Sequence, residues 1–270
     1  IMSIKPERVF VLGIDGAMGS AVRDGKTPNI DALVVDGTVS YSAQAVLPSA
    51  SYQNWGALLH GVGAEKHGID GGNPISEDVP WPSYLKVLQK TYPHMTCALF
   101  SCWNPINQHI IEKSIEAHRV SLPDPELAVS AADYIRQHVP DLFFMQFDLV
   151  DAAGHAHGYG SEKYFEQIEI NDSEIGQVID AIKDAGVYQD SLIMIISDHG
   201  GIGTGHGGDE PECLDIFWSA RGPGIAQGVE LGSQISIKDT PAIILYTFGV
   251  PIPDGYDSVI TEEIFAKELF

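Results

Sequence analysis

The run Leu192-Ile193-Met194-Ile195-Ile196, followed at once by Ser197-Asp198-His199-Gly200, decides the reading of this chain. An unbroken apolar stretch of strand length reads as a strand covered on both faces, as in a parallel sheet flanked by helices. The abrupt change to a carboxylate, an imidazole and glycine puts polar side chains at the strand's C-terminal end. In an open α/β sheet, ligands bind at that edge. Six of the twelve residues from Ser197 to Gly208 are glycine, and the loop carries a further histidine, His206. Glycine-rich loops also serve as plain flexible turns. The second histidine moves the reading toward binding.

Outward from this stretch the same pattern recurs. Val9-Phe10-Val11-Leu12-Gly13-Ile14 is another buried parallel strand, and Asp15-Gly16 follows it. Leu142 to Phe147, Thr96 to Phe100, Ala43 to Leu47 and Asp215 to Ala220 read as further strands. Thr27-Pro28-Asn29 opens a helix with a cap and an early proline, and Gly37 closes it. Ser51 to Leu59 and Pro80 to Lys90 are short helices, and Asp124-Pro125-Glu126 starts one that runs to about His138. Ser161 to Ala185 has helical spacing at Phe165, Ile168, Ile175, Val178, Ile179 and Ile182 and stops at Gly186. Asp239-Thr240-Pro241 starts a last helix that ends at Gly249, and Gly71 to Trp81 reads as a surface loop. Strands alternate with helices throughout, with no internal repeat or linker. The expected fold is a three-layer α/β/α sandwich on a mostly parallel central sheet, one domain over residues 1–270.

Composition narrows the partners. Asp and Glu total 37 against 15 Lys and Arg, a formal charge of −22. Such a surface lacks the basic stripe that nucleic acid polymers and anionic membranes need. It still accepts a small anion where bound metals reverse the sign locally. No stretch approaches the length and apolarity of a membrane span. Ile1 to Arg8 shows no leader pattern, and Cys97, Cys102 and Cys213 have neither disulfide-framework nor metal spacing. The expected compartment is the cytoplasm; the oligomeric state is open.

Four motifs carry the chemistry, and each has a plain alternative. Asp15 after the first strand suits a crevice ligand, or an Asx-turn. In Pro48-Ser49-Ala50-Ser51-Tyr52-Gln53-Asn54, Ser51 opens a helix, where it is either an N-cap or a nucleophile favoured by the helix dipole. Ser49 competes for that role, and Asn54, one turn on, is placed to donate to a phosphate oxygen. In Asp151-Ala152-Ala153-Gly154-His155, a carboxylate and an imidazole four apart reach one metal from a small, bendable loop, with Asp148, His157 and His60 as decoys. Asp198, His199 and His206 complete the set. Three carboxylates, three imidazoles and one hydroxyl suit two borderline divalent metals and an activated nucleophile.

With these residues assembled, the chain resembles the alkaline phosphatase superfamily, and within it the type I phosphodiesterase/nucleotide pyrophosphatase branch. The resemblance runs from Val9 to about Phe265 through Ile14-Asp15-Gly16, Thr27-Pro28-Asn29-Ile30-Asp31, Pro48 to Ser51, His67-Gly68-Ile69, Asp151 to His155, Ser197 to Gly200 and Gly205-His206-Gly207. It implies that Ser51 is the nucleophile, with Gly61 ten residues on favouring it over Ser49. It implies that Asp15, Asp198 and His199, with Ser51, hold one zinc, and that Asp151, His155 and His206 hold the other; manganese is the alternative metal. Asn54 matches an asparagine that contacts a phosphate oxygen, and His67 receives no ligand role. Tyr52-Gln53-Asn54 departs from the Phe-Pro-Asn usual after the nucleophile, and the chain is shorter than typical members.

The implied reaction is hydrolysis of a small phosphate ester through a covalent phospho-Ser51. No arginine lies near Ser51 in sequence, which favours a diester or pyrophosphate over a monoester dianion, unless Arg221 or Lys66 folds back. A phosphonate or sulfate ester is a variant reading, although the Pro-x-Arg signature of sulfatases is absent. The rivals are a phosphomutase, a catalytically silent metal-binding interaction module, and a metal-free Ser-His-Asp hydrolase, whose triad needs fewer residues than are present.

Overall fold

The structure is a computed structural model and describes residues 5–267. Its strands are β1 (Arg8–Ile14), β2 (Gly37–Gln44), β3 (Cys97–Ser101), β4 (His118–Ser121), β5 (Leu142–Phe147), β6 (Ser191–Ser197), β7 (Asp215–Arg221) and β8 (Val229–Leu231). Its helices are α1 (Gly19–Asp24), α2 (Pro28–Val35), α3 (Ser51–His60), α4 (Ala64–His67), α5 (Tyr84–Thr91), α6 (Asp124–His138), α7 (Leu149–His157), α8 (Glu162–Asp184), α9 (Pro211–Leu214) and α10 (Thr240–Phe248). The strands form one eight-stranded sheet in the order β4-β3-β5-β1-β6-β7-β2-β8. β7 runs antiparallel to both its neighbours, and the other pairs are parallel.

Alternation along the apolar strands builds the two outer layers. Val9, Val11, Leu142, Phe144, Leu192, Met194 and Ile196 face one side, in a core with residues of α3, α5 and α10. Phe10, Leu12, Ile14, Phe143, Met145, Phe147, Ile193 and Ile195 face the other, in a core with residues of α1, α2, α6 and α8. Successive strand side chains point to opposite faces, so a continuous apolar run feeds two cores at once. The expected three-layer α/β/α sandwich is the observed fold.

Two expectations need correction. The strand placed at Ala43 to Leu47 instead spans Gly37–Gln44, and Gly37, expected to close a helix, is the first residue of that strand. A Cβ at Gly37 would lie 2.2 Å from the Ala220 carbonyl oxygen, so this glycine permits close strand approach. The Asp151–His155 motif, expected in a bendable loop, lies in the nine-residue helix α7. Its start is held by Asp124 at the head of α6, whose carboxylate accepts from the Asp148 and Leu149 amides at 2.8–3.1 Å. That external cap orders the first turn of a helix where the sequence reading expected a bendable loop.

Candidate active site

β5, β1 and β6 are adjacent and parallel, so their C-terminal ends share one edge. Asp15 follows β1, α7 follows β5, and Asp198 and His199 follow β6. The chain leaving β2 reaches the same edge and delivers Ser51 at the start of α3. Two close approaches join these parts. Gly13 leaves room for the Trp55 indole, which a Cβ would meet at 2.4 Å. Gly16, at φ 71°, lets the end of β1 lie against Asp151, whose Cα a Cβ would meet at 2.7 Å.

The seven expected residues converge. The Ser51 hydroxyl lies 3.4 Å from Asp15 Oδ1 and 3.2 Å from His199 Nε2. His199 Nε2 lies 3.4 Å from Asp15 Oδ1 and 3.3 Å from Asp198 Oδ2. His155 Nε2 lies 3.2 Å from Asp151 Oδ2, and His206 Nε2 lies 3.9 Å from Asp151 Oδ1. The two groups touch where the His199 and His206 rings stack at 3.9 Å. Asp151 stands between them, since ligand atoms of Asp15, Asp151 and His199 also lie within 4.8 Å of one another.

Each imidazole is oriented by a carbonyl. His155 Nδ1 lies 2.8 Å from the Thr204 oxygen, His199 Nδ1 2.8 Å from that of Gly200, and His206 Nδ1 2.9 Å from that of Ser49. A carbonyl only accepts, so each Nδ1 carries the proton and each Nε2 presents a lone pair to the carboxylates. Asp198 Oδ2 is buried without a hydrogen-bond partner. Lone pairs facing lone pairs repel unless a cation sits among them. Burial, then repulsion from Asp198, Asp151 and Asp148, raises Asp15 well above the ordinary carboxylate range. Burial likewise raises Asp198 strongly, with Asp151 adding to it. Burial lowers the pKa of both His199 and His206, and the proximity of His199 lowers that of His206 further. Neutral imidazoles and crowded carboxylates are the donor set of a divalent metal centre, and these residues fit one.

The Ser51 hydroxyl caps nothing, so the N-cap alternative fails; Ala50 occupies the cap position. Ser49, the competing nucleophile, is buried, donates to the Gly208 oxygen and accepts from the Gly207 amide. It therefore holds the His206 loop. Asn54 does not fit the role expected of it. It is fully buried, its Oδ1 accepts from the Val46 amide, and its Nδ2 donates to the carbonyls of Val46, Pro48 and Ala50. With its amide turned into the loop before α3, it shapes the approach to Ser51 and presents no donor to substrate.

Of the decoys, His60 is buried between the Trp81 and Ile110 carbonyls, and His157 ends α7, exposed. His67 is pinned between the Gln53 oxygen and the Ile69 amide, and burial lowers it to about 4, so it stays neutral and structural. Arg221 is spent on Tyr188 and Gln189, and Lys66 on Asp257 and the Gly255 oxygen, so neither turns to Ser51.

Sequence reading missed three supporting groups. The Trp55 indole donates to Asp15 Oδ2 at 2.8 Å, and Gln146 Nε2 donates to the same oxygen at 3.0 Å. The Tyr159 hydroxyl donates a short bond to Asp151 Oδ1. The glycine interrupting the Val9–Ile14 run was the available signal for Trp55, because a glycine inside a strand marks close approach. Tyr52, the residue after Ser51, meets Trp103 edge-on at 4.5 Å.

The family model described as type I phosphodiesterase / nucleotide pyrophosphatase matches residues 9–74 and 74–210. Ectonucleotide pyrophosphatase/phosphodiesterase family member 1 of Rattus norvegicus is 21% identical over 197 residues, covering 65% of this chain and 22% of the relative. The Mus musculus protein of the same description matches to the same extent. The chain thus spans about a fifth of the length of these curated relatives. Murine ectonucleotide pyrophosphatase / phosphodiesterase 5 superposes with a TM-score of 0.80 at 13% identity, covering 96% of this chain and 100% of that one. An inactive variant of the murine protein in complex with AMP gives 0.79 at 13% identity, covering 96% and 100%. The human protein also gives 0.79 at 13%, covering 96% and 99%.

Proposed function

The chain belongs to the type I phosphodiesterase/nucleotide pyrophosphatase family, and from that premise we propose that it hydrolyses small phosphate esters, with phosphodiester or pyrophosphate bonds as its substrates and Ser51 as its nucleophile. The observation that carries this reading is the convergence of three imidazole Nε2 lone pairs and three carboxylates beside one hydroxyl, which touches only members of that cluster.

Asp15, Asp198, His199 and Ser51 would hold one divalent cation, and Asp151, His155 and His206 a second, with zinc preferred and manganese the alternative. Bound there, the pair supplies Lewis-acid charge to the phosphoryl oxygens and lowers the pKa of hydroxyl and water. The remaining work falls to the chain. Ser51 opens the ten-residue helix α3, whose aligned peptide dipoles favour negative charge on its oxygen and on a phosphate beside it. Its Oγ attacks phosphorus, the ester or pyrophosphate oxygen departs, and phospho-Ser51 forms. Water then attacks that phosphorus and frees Ser51. Trp55 and Gln146 hold Asp15 Oδ2, which keeps Oδ1 directed at Ser51.

Two features favour diesters over monoesters. Arg221 and Lys66 are committed elsewhere, so no extra cation from them meets a monoester dianion. The Tyr52–Trp103 pair suits a planar substituent on the phosphate, such as a nucleobase. The AMP complex of the murine structural neighbour supports a nucleotide-sized substrate. Compared at saturating Mn2+, an aryl phosphodiester should turn over faster than the matching monoester. Ser51→Ala should lower kcat by at least about a thousandfold while still binding metal. Near-normal turnover by Ser51→Ala would refute the assignment.

A further inference from the structure

Gln146 is the next-to-last residue of β5, at zero exposure, paired with Gly13 of β1 on one side and Ser101 of β3 on the other. Its backbone is therefore as fixed as any in the sheet. Its side chain uses both amide hydrogens and its oxygen. Nε2 donates to Asp15 Oδ2 at 3.0 Å and to Asp148 Oδ1 at 3.1 Å, and Oε1 accepts from the Trp103 amide at 2.9 Å. The orientation is unambiguous, because a flipped amide would face its oxygen to two carboxylates and its NH2 group to an N–H. The three partners belong to different parts of the site. Asp15 carries the buried cation group, Asp148 immediately precedes the helix bearing Asp151 and His155, and Trp103 meets Tyr52, the residue after Ser51.

We infer that Gln146 is a positioning residue whose single amide holds the Asp15 group, the start of α7 and the backbone at Trp103 in register, setting the spacing of the two cation groups. This rests on reading the site as a metal centre. A hydrogen bond that merely stabilised the strand would have one partner at any place in the sheet. Three partners, each leading to a different functional group, make the amide a junction. A hydrophobic residue of the same volume would fill the space and leave Asp15 Oδ2 with Trp55 alone, Asp148 Oδ1 without its amide donor and the Trp103 amide unpaired.

Mn2+ titration calorimetry and the visible spectrum of bound Co2+ test this independently of turnover. Gln146→Met keeps the volume and removes the amide. It should raise the Mn2+ Kd about 10- to 100-fold and shift the Co2+ bands, as loss of a group orienting metal ligands does. Asp148→Ala, at a half-buried position, removes one partner only and should raise Kd about three- to tenfold. The control is Asn107→Leu, which deletes a half-buried amide bonded to Ser101, Val120 and Ser121 and to none of Asp15, Asp148 and Trp103. It should lower Tm without moving Kd or spectrum. Wild-type Kd within about twofold and an unchanged Co2+ spectrum in Gln146→Met would overturn the inference. If that variant does not fold, the same null result in Asp148→Ala overturns it. A wild-type protein that binds Mn2+ but cleaves no phosphodiester would sink the hydrolase reading and leave this one standing.

Discussion

Asp15, Asp198 and His199 are sealed at the ends of two central strands, at 0–1% exposure. Asp151, His155 and His206 stand on a helix and a glycine-rich loop, with side chains 14%, 46% and 16% exposed. Both groups present the same kinds of donor atom, yet their surroundings differ. The first is preorganised by the sheet and screened little by water, so its electrostatics are strong in both directions. It should repel itself when empty and bind a cation firmly. The second is hydrated and depends on a loop, and its cation should exchange faster. The difference teaches that two groups built from the same donor types can differ in stiffness, because strand ends and glycine loops order their side chains differently.

The largest effect should separate the two groups by mutation. Asp15→Ala should weaken cation binding beyond about 100-fold and abolish turnover, whereas His155→Ala should cost about tenfold in affinity and remain rescuable by excess metal. Equal losses in calorimetry would erase the distinction. Chelation comes next. Dialysis against a chelator should release metal in two phases, the first matching the phase lost in His155→Ala; one phase would mean that the groups act as a unit.

Stability against pH probes the buried group alone. Asp15 and Asp198 have folded-state pKa values raised above 3.8, so the metal-free fold binds protons more tightly than the unfolded chain. Their contribution is fully present below the unfolded value and is lost as pH rises through the raised folded values. Metal-free protein should therefore lose Tm as pH is raised from the acid side, and metal-loaded protein should not. Asp198→Asn should raise the Tm of metal-free protein at pH 8 while weakening metal binding. A metal-free Tm that climbs with pH would contradict this. The smallest effect belongs to Tyr159→Phe, which frees Asp151 Oδ1 of one donor. It should shift the second group's affinity about threefold and leave the first untouched.

Much of this was legible in the sequence because strand runs and strand-end motifs are local. The Leu192–Ile196 run and the Asp198-His199 pair announced both a buried parallel strand and its functional end. All seven expected ligands meet in space, because β5, β1 and β6 are neighbours. The failures were of two kinds. Asn54 was placed by spacing along a helix, but spacing does not show that three carbonyls and an amide of the preceding loop would claim its amide. α7 was read as a loop because the stretch has small residues and a glycine, and its cap comes from Asp124, distant in sequence. Gln146 carried no sequence signal, since its three partners come from three separate segments.

The most direct test is anomalous diffraction from crystals soaked in zinc. The account predicts two strong peaks, one among Asp15, Asp198, His199 and Ser51 and one among Asp151, His155 and His206, the first persisting longer on back-soaking. A single peak, or none among these side chains, would contradict it.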